Sequence, residues 1–554
     1  MQYTRKLLAA GLLALIACAV PPPAAATLTT IWVGAGAQCD TSSLVLAITE
    51  ASTAGGDNTR INLANDQSYP GFSNLALVNI NVEIDGGYAH CRDTAPNGIT
   101  AIVGRSDGNV MSMSSANGSR QVTLRDLDIH GGDNAGAGGG LRISGGVNAV
   151  LDNVHIHDND ALAGGGIYIA ANGDTRPSLL VTGNSFVSDN TSTYDGAGID
   201  CTLSDIVLGG ANVNTNRTGE TGDGGGIYLA GCTMQSAGST SRANIFSNNV
   251  ARRGGAIYAD TGSTVDLGQS GGLVRINANE ATSAGGGLFL SGAATRITVA
   301  ATRISENASD GTGSGILAGG GVFVTNGALF ELDRGDRDEV CSGPSPCAEL
   351  VSNQASAGSE AYAFDGGRVR LNNCEIDNSG FDAESVLGGN GNGSSITLNG
   401  VLMDRLVAMA AVRLESGAVA IGSNLTVAGN DVGSDFFLNG PNTSLNLQNS
   451  IVWDSPAIAV EGSGSVFSLN NNSFDPATLP GLDFDPGFAD PDHHDFHPRV
   501  DSPDVDAYTP MAYVPSFDLD GNPRPFDLPV DHGGIFDRGA YELGDEIFAD
   551  GFDP

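Results

Sequence analysis

The stretch FSNNVARRGGAIYAD, residues 246–260, contains two elements that recur along the chain. The first is an apolar residue followed by Asn, and Phe246 can be paired in this way with Asn248 or with Asn249. The second is a Gly-rich turn ahead of alternating apolar and polar residues, which begins here at Gly254. The recurrence of both elements indicates that one structural unit is built many times.

The Gly element occurs in seven copies that share a glycine and the alternation behind it. The copies begin at Gly138, Gly164, Gly196, Gly224, Gly254, Gly285 and Gly319. Their spacing of 26 to 34 residues is typical of a solenoid whose loops differ in length. Glycine suits a turn that requires positive φ and passes close to a neighbouring coil, because a Cβ would clash there.

The Asn element predicts two stacked files of asparagine. The first file contains Asn159, Asn190, Asn216, Asn279, Asn307 and one of the pair Asn248 and Asn249. The second file is expected at the bend between two strands and contains Asn153, Asn184, Asn373, Asn424 and Asn449. Stacked asparagines tolerate left-handed backbone and can hydrogen-bond to their equivalents above and below, so we interpret both files as turn chemistry.

Apolar and polar residues alternate with a period of two ahead of the Asn element, as in QVTLRDLDIHG, residues 121–131. A two-residue turn interrupts the alternation, which indicates strand, bend and strand. We therefore predict an all-β fold, a right-handed parallel β-helix with three short strands per coil and coils about 4.8 Å apart.

The two motifs resemble the Gly-Gly-Ala-Ile and Phe-x-x-Asn repeats of polymorphic outer-membrane proteins and of many secreted bacterial β-helix repeat proteins. The resemblance covers roughly residues 110–365 and implies an exported solenoid. Polymorphic outer-membrane proteins continue into a C-terminal translocator barrel, and too little chain follows the repeats here for one. We therefore expect no autotransporter barrel.

We divide the chain into four parts, because an open solenoid needs caps over its exposed strand edges. They are a signal peptide at residues 1–26, an N-terminal cap at 27–60, the parallel β-helix at 61–470, and a Pro- and Asp-rich C-terminal cap region with an acidic tail at 471–554. In the N-terminal cap, residues 41–52 place Leu44, Ile48 and Ala51 on one stripe and predict a short capping helix.

Export is predicted from the N-terminus, where Arg5 and Lys6 precede an apolar run and small residues follow it. Residues 15–18 also resemble a lipobox, so lipidation of Cys18 is an alternative to cleavage after Ala26. We expect a protein that is secreted or held on the outer surface of a Gram-negative bacterium, with no transmembrane segment in the mature chain.

Charge and composition exclude several functions. A formal net charge of −38 predicts repulsion from nucleic acid. Lys6 is the only lysine, so the mature chain cannot use a lysine base or Schiff base. Polysaccharide lyases and pectinase-type hydrolases share the predicted fold, but the chain lacks the hydrolase signatures Asn-Thr-Asp, Asp-Asp, Gly-His-Gly and Arg-Ile-Lys.

One polar cluster is a candidate for chemistry. If Ile129 stacks on Ile156 in the next coil, four outward side chains meet, namely Asp128, His130, His155 and His157. Such a group could bind a metal or transfer protons, although a solvated polar face explains the same residues. We assign no catalytic, cofactor-binding or metal-binding residue.

Cysteines and the C-terminal motifs complete the expectations. Tentative disulfides are Cys39 with Cys91, at the two ends of the N-terminal region, and Cys341 with Cys347 around a tight loop; the odd count leaves a thiol unpaired. DLDGN, residues 518–522, is interpreted as a hairpin turn rather than a calcium loop. Residues resembling the terminal region of secreted β-helix repeat proteins are Asp520, Gly521, Arg524, Asp537 and residues 539–542.

These patterns favour a non-enzymatic, surface-displayed protein with an adhesive, structural or binding role. Its expected partner is an extracellular glycan or protein surface, and it is expected to be a monomer without a cofactor, calcium being the one ion considered. The alternative is a divergent polysaccharide lyase or glycoside hydrolase that acts on extracellular polysaccharide through the His/Asp face.

Overall fold

The computed structural model describes residues 28–53, 59–237, 242–268, 273–309, 317–334, 348–378, 383–454, 456–475, 485–509, 514–526 and 535–543. The described chain is a parallel β-solenoid of about 14 turns with one short α-helix. The predicted all-β parallel solenoid is confirmed. The predicted right-handed winding agrees with the general preference of crossovers between parallel strands.

Three faces of one long sheet form the wall of the solenoid. Two long bent strands, Met111–His130 and Leu141–His157, run through all three faces. Face 1 also contains Leu75–Val78, Ile167–Ala170, Ile199–Thr202, Ile227–Ala230, Ile257–Asp260, Leu288–Ser291, Val322–Thr325, Ala361–Phe364, Leu387–Asn390, Val407–Glu415, Asp431–Asn439 and Ile458–Glu461.

Face 2 contains Thr29–Val33, Thr59–Ala64, Val82–Tyr88, Ser178–Thr182, Asp205–Leu208, Thr233–Ser236, Thr264–Leu267, Arg296–Ala300, Leu329–Asp333, Arg368–Asn372, Ser395–Asn399, Val419–Ser423, Ser444–Gln448 and Val466–Asn470. Face 3 contains Tyr69–Phe72, Thr100–Gly104, Phe186–Ser188, Asn212–Asn214, Asn244–Ser247, Val274–Asn277, Thr302–Ser305, Glu349–Val351, Glu375–Asp377, Leu402–Asp404, Thr426–Val427, Ile451–Val452 and Ser473–Phe474. Inward side chains of the three faces form one continuous apolar core.

A fourth strand in eight of the coils corrects the prediction of three there. It forms a separate eight-stranded parallel sheet, here called the short sheet, between the Asn turn and the Gly turn. Its strands are Asp133–Ala137, Asp160–Ala163, Thr191–Ser192, Arg217–Thr218, Val250–Arg253, Glu280–Ala284, Ala308–Ser309 and Gln354–Ala355. Several span only two residues, too few for a period-two pattern to be visible in the sequence.

The first asparagine file is a buried hydrogen-bonded ladder. Oδ1 of Asn279 accepts hydrogen bonds from the backbone N–H of Asn249 at 3.0 Å and from its Nδ2 at 2.9 Å. Nδ2 of Asn249 also donates to the carbonyl of Val213 in the preceding coil at 2.9 Å. Asn249 therefore belongs to the ladder, whereas Asn248 is exposed with a φ of 56°.

The ladder extends one coil beyond its predicted members and ends on a buried acid. Asn307 donates to Asn353, and Asn353 donates from its backbone N–H and its Nδ2 to the carboxyl group of Glu360. Complete burial raises the pKa of Glu360 well above its ordinary value.

The glycine prediction is confirmed, since all seven expected glycines have φ between 60° and 80°. At Gly254, a Cβ would lie 2.4 Å from the carbonyl oxygen of Ile257. At Gly255, it would lie 2.3 Å from the carbonyl oxygen of Gly286 in the next coil. Both contacts are with backbone. A side chain at Gly254 would clash within its own turn, and a side chain at Gly255 would force the two coils apart.

The second asparagine file is correct at four of its positions. Asn153, Asn373, Asn424 and Asn449 occupy the corner between faces 2 and 3 with φ between 45° and 56°. Asn184 was wrongly placed there, because Gly183 takes the positive φ of 68° at that corner. Glycine meets the same backbone requirement without a side chain.

The N-terminal helix runs over Leu44–Thr53 and buries Leu44, Ala47, Ile48 and Ala51. These side chains join the core of the first coils. Ser43 precedes the helix, and its Oγ accepts a hydrogen bond from the N–H of Leu46 at 3.3 Å, as an N-cap does. The face 2 strand Thr29–Val33 pairs in register with Thr59–Ala64, so solenoid structure already begins inside the segment assigned to the cap.

The C-terminal region lies against the side of the solenoid in its described part, not over the end as a cap would. Outward residues of face 3, Leu402, Ala428 and Ile451, form a buried cluster with Phe488, Phe496, Leu519, Ala540 and Tyr541. Phe467, an inward residue of the last coil, stays 50% exposed. The region covers apolar side chains that face 3 would otherwise present to water.

The terminal motif residues hold this region together. Arg524 and Glu542 form an ion pair of 3.0 Å whose side chains are both 0% exposed. Arg524 also donates to the carbonyls of Asp537 and Gly539. The predicted turn at residues 518–522 is confirmed, because the N–H of Asp518 donates to the carbonyl of Asn522 at 2.9 Å.

Two disulfides are present in the described chain. Cys39 pairs with Cys91 as expected, and Cys201 pairs with Cys232, which was not expected. Cys374 is a buried free thiol. Cys18, Cys341 and Cys347 lie outside the described residues, as does the expected signal peptide.

Among the residues that the structure describes, we find no helix with the length and apolar character required to cross a membrane.

We expect Asn249→Ala to lower the free energy of unfolding by about 3 kcal/mol, because it leaves the buried N–H of Asn216 and the carbonyl of Val213 without partners. Urea denaturation followed by circular dichroism measures the change. Asn248→Gly is the matched control, since it removes the neighbouring side chain and keeps the positive φ. Equal losses in both variants would show that the ladder does not stabilise the coils.

Candidate functional site

The predicted His/Asp cluster is assembled on face 3 by the register of neighbouring coils. Ile129 lies opposite Ile156, which places Asp128 beside His155 and His130 beside His157. All four polar side chains are partly exposed on the outer wall. The structure therefore brings together all four residues that the sequence singled out.

His157 is held by two carboxylates. Its Nε2 lies 2.6 Å from Oδ1 of Asp128, and its Nδ1 lies 2.6 Å from Oδ2 of Asp158. The hydrogen bond to Asp128 is the main cause that raises the pKa of His157 to about 9. Burial by itself would raise the pKa of Asp128, but the hydrogen bond and charge of His157 outweigh it and lower that pKa. Sequence reasoning missed Asp158, although it directly follows His157.

His155 has the opposite character. Its ring stacks on Phe186 of the next coil at 3.8 Å between centroids, and its Nε2 is buried without a hydrogen bond. Burial lowers the pKa of His155, so the ring is neutral while His157 is charged. His130 stacks on His157 at 5.1 Å.

The cluster is thus a self-contained stack rather than an open acid–base pair. Both nitrogens of His157 are occupied, and the free nitrogen of His155 is turned away from solvent. Within the described ranges, no group of three or more His, Cys, Asp and Glu side chains is arranged to hold a metal ion.

A second cluster, here called the carboxyl cleft, lies farther along face 3 beside the C-terminal region. Arg405 lies 2.5 Å from Glu375, 3.2 Å from Asp377 and 3.3 Å from Asp404. Glu375, Asp377 and Arg405 line a cavity of about 110 Å³ together with Glu349 and Arg303, and Asp404 lies buried beside Arg405.

Burial shifts the carboxyl groups of this cleft toward their neutral forms. Burial, and next the negative charge of Glu375, raise the pKa of Asp404 to about 7. Burial also raises the pKa values of Glu375 and Glu349. Oδ1 of Asp404 is buried without a hydrogen bond. Asp404 is therefore a carboxyl group that can hold a proton near neutral pH.

The histidines of HHDFH, residues 493–497, do not converge on one ligand. His494 lies 3.4 Å from Asp404 of the carboxyl cleft, and His493 pairs with Asp490 at 2.8 Å. His497 lies 2.6 Å from both Asp495 and Asp520. Each ring is bound to a different carboxylate, which favours a role in attaching the C-terminal region.

A third feature, the aromatic ladder, occupies the outer side of face 1. Tyr228, Tyr258, Phe289, Phe323 and Tyr362 stack with successive centroids 5.2, 5.1, 5.1 and 5.8 Å apart. The sequence signal for it was the aromatic residue at the fifth position of copies such as GGGIYLA and GGGLFLS, which is the second residue of the strand after the Gly turn.

Neither the protein-family models nor the curated proteins include a match to this chain.

The His157 ion pairs make stability dependent on pH in a defined direction. Because the folded pKa is raised from 6.5 to about 9, their contribution is complete below pH 6.5 and disappears as the pH rises through 9. We expect His157→Gln to cost about 1 kcal/mol at pH 6 and almost nothing above pH 10. Urea denaturation of both chains across this range measures the difference.

The control repeats this comparison in an Asp128→Asn background. Without its main carboxylate partner, His157→Gln should cost less at pH 6. A cost for His157→Gln that is the same at all pH values would contradict the proposed ion pairs.

Proposed function

We propose that this chain is an exported, surface-displayed β-solenoid that binds an extended extracellular polymer and does not cleave it. The proposal is supported chiefly by the outer faces, where equivalent side chains repeat at the spacing of the coils on a frame of buried ladders. A surface of this kind offers many equivalent contacts to a polymer that has a repeat of its own.

Two further observations support the proposal. The two disulfides suit an oxidising compartment outside the cytoplasm. Both nitrogens of His157 are occupied by carboxylates and Nε2 of His155 is buried, so the residues that the sequence offered for catalysis are better explained as a polar stack.

The carboxyl cleft favours a second candidate, a polysaccharide-cleaving enzyme. Carboxyl groups with raised pKa values act as general acids in glycoside hydrolysis, with a second carboxylate as base or nucleophile. Glu375, whose pKa burial raises, would supply the acid, and Asp377 the second carboxylate, beside the guanidinium of Arg405. This candidate needs turnover, which the first does not.

We expect neutral or acidic polysaccharides in the gel to retard the chain lacking residues 1–26 in affinity electrophoresis. The chain should release no reducing ends or unsaturated products from these polysaccharides. The same panel is tested with and without a chelator. Release of products would overturn the proposal, and so would failure of every polysaccharide in the panel to bind the chain.

If products are released, Glu375→Gln decides where the chemistry occurs. Loss of a general acid costs roughly 100-fold or more in rate, so the second candidate predicts at least that loss. Glu331→Gln is the matched control, because Glu331 is also an outward glutamate paired with an arginine, Arg296 at 2.6 Å. Equal rates in both variants would place the activity outside the carboxyl cleft.

A further inference from the structure

The aromatic ladder borders a groove that runs along the solenoid where the short sheet turns into face 1. The residue ahead of each Gly turn forms the opposite side of this groove. In the five coils of the aromatic ladder this position is occupied by Asp223 and Arg253 and then by Ala284, Ala318 and Ala357. The three alanines pack against the aromatic ladder and leave room beside it.

The open part of the groove has a defined length and a closed end. It spans the three coils that carry alanine, which corresponds to about 14 Å at the usual strand spacing. Arg253 closes one end, with its guanidinium 4.9 Å from the ring centroid of Tyr258 and 4.8 Å from that of Phe289. Phe364, half-buried and tilted by 38° from Phe323, borders the other end.

The lining of the groove is apolar, with a few hydrogen-bonding groups. A cavity of about 210 Å³ is lined by Arg253, Ser283, Ala284, Phe289, Phe323, Thr325 and Phe364. The ladder rings lie within 5° to 14° of parallel and cover one another's faces, and Tyr258, Phe289 and Phe323 keep only 4% to 5% of their surface exposed as a narrow row of edges. The tilted ring of Phe364 does not continue this parallel stack.

The charges around the groove indicate a neutral occupant. Among the lining residues that the structure describes, Arg253 is the one charged residue, and it is paired with Asp223 at 2.6 Å. Asp223 also binds Arg252 at 2.7 Å. A polyanion would find no unpaired cation in this lining, and it would be repelled by the net charge of −38.

We infer that this groove is a binding subsite for a neutral polysaccharide in an extended conformation, an inference that rests on the proposed function. One pyranose unit of an extended β-linked chain advances by about the distance between two adjacent coils. About three units therefore fit the open length. The apolar faces of the sugars pack on aromatic edges and on Phe364, and their hydroxyl groups meet Arg253, Ser283 and Thr325. An apolar peptide lacks this repeat of hydroxyl groups.

Isothermal titration calorimetry with the chain lacking residues 1–26 tests the inference. The probes are β-1,4-linked hexamers of glucose and of mannose, a hexamer of β-1,4-linked mannuronate as the charged counterpart, and a neutral apolar peptide. We expect binding of at least one neutral hexamer and at least tenfold weaker binding of the mannuronate hexamer and the peptide.

Phe364→Ala should weaken binding of that neutral hexamer at least tenfold. Phe437→Ala is the matched control, because Phe437 is another half-buried outward ring of face 1, with Arg413 at 4.5 Å, outside the groove. It should leave affinity unchanged. Matching circular dichroism spectra and urea midpoints for the two variants show that both fold.

Equal affinities of the two variants, or tighter binding of the charged hexamer or the peptide, would overturn this subsite. If polysaccharides still retard the chain in affinity electrophoresis, only the subsite has failed and the proposed function stands. If no polysaccharide retards the chain, or if products are released, the proposed function itself has failed.

Discussion

The structure depends on hydrogen bonding between successive coils, and the buried asparagine ladder is its most demanding part. Each interior ladder amide donates to both neighbouring coils and accepts from the preceding one, so it needs both neighbours in the same register. An unpaired buried amide costs about 1–3 kcal/mol. This penalty keeps the coils in step while loops between them vary in length, as in the 46 residues that separate Asn307 from Asn353.

Strict register on the inside also orders the outside. A side chain that points outward stacks on its equivalents, so each face collects columns of similar chemistry at the coil spacing. The histidines and the carboxyl groups of face 3 and the aromatic rings of face 1 are three such columns. Where face 3 becomes apolar at Leu402 and Ile451, the C-terminal region covers it and sets the border of the carboxyl cleft.

The surface columns differ in what they leave available to a ligand. In the His/Asp cluster both ring nitrogens of His157 are hydrogen-bonded to carboxylates, so little remains for a ligand. In the carboxyl cleft, burial holds acids near their neutral forms around Arg405. Beside the aromatic ladder, three alanines leave a groove whose single guanidinium is already paired. These differences, more than the shared fold, decide which surface can carry function.

The sequence by itself determined the coil and much of the His/Asp cluster, because period-two alternation and the Gly and Asn turns are local and repeat within about 30 residues. Only the tertiary structure decided what depends on register across irregular loops. The long insertion before Asn353 hid the alignment of Arg303 with Glu349 in the carboxyl cleft. The pairing of Cys201 with Cys232, 31 residues on, depends on how two successive coils stack, and the docking of the C-terminal region on face 3 joins residues far apart in sequence. No local pattern specifies such partners.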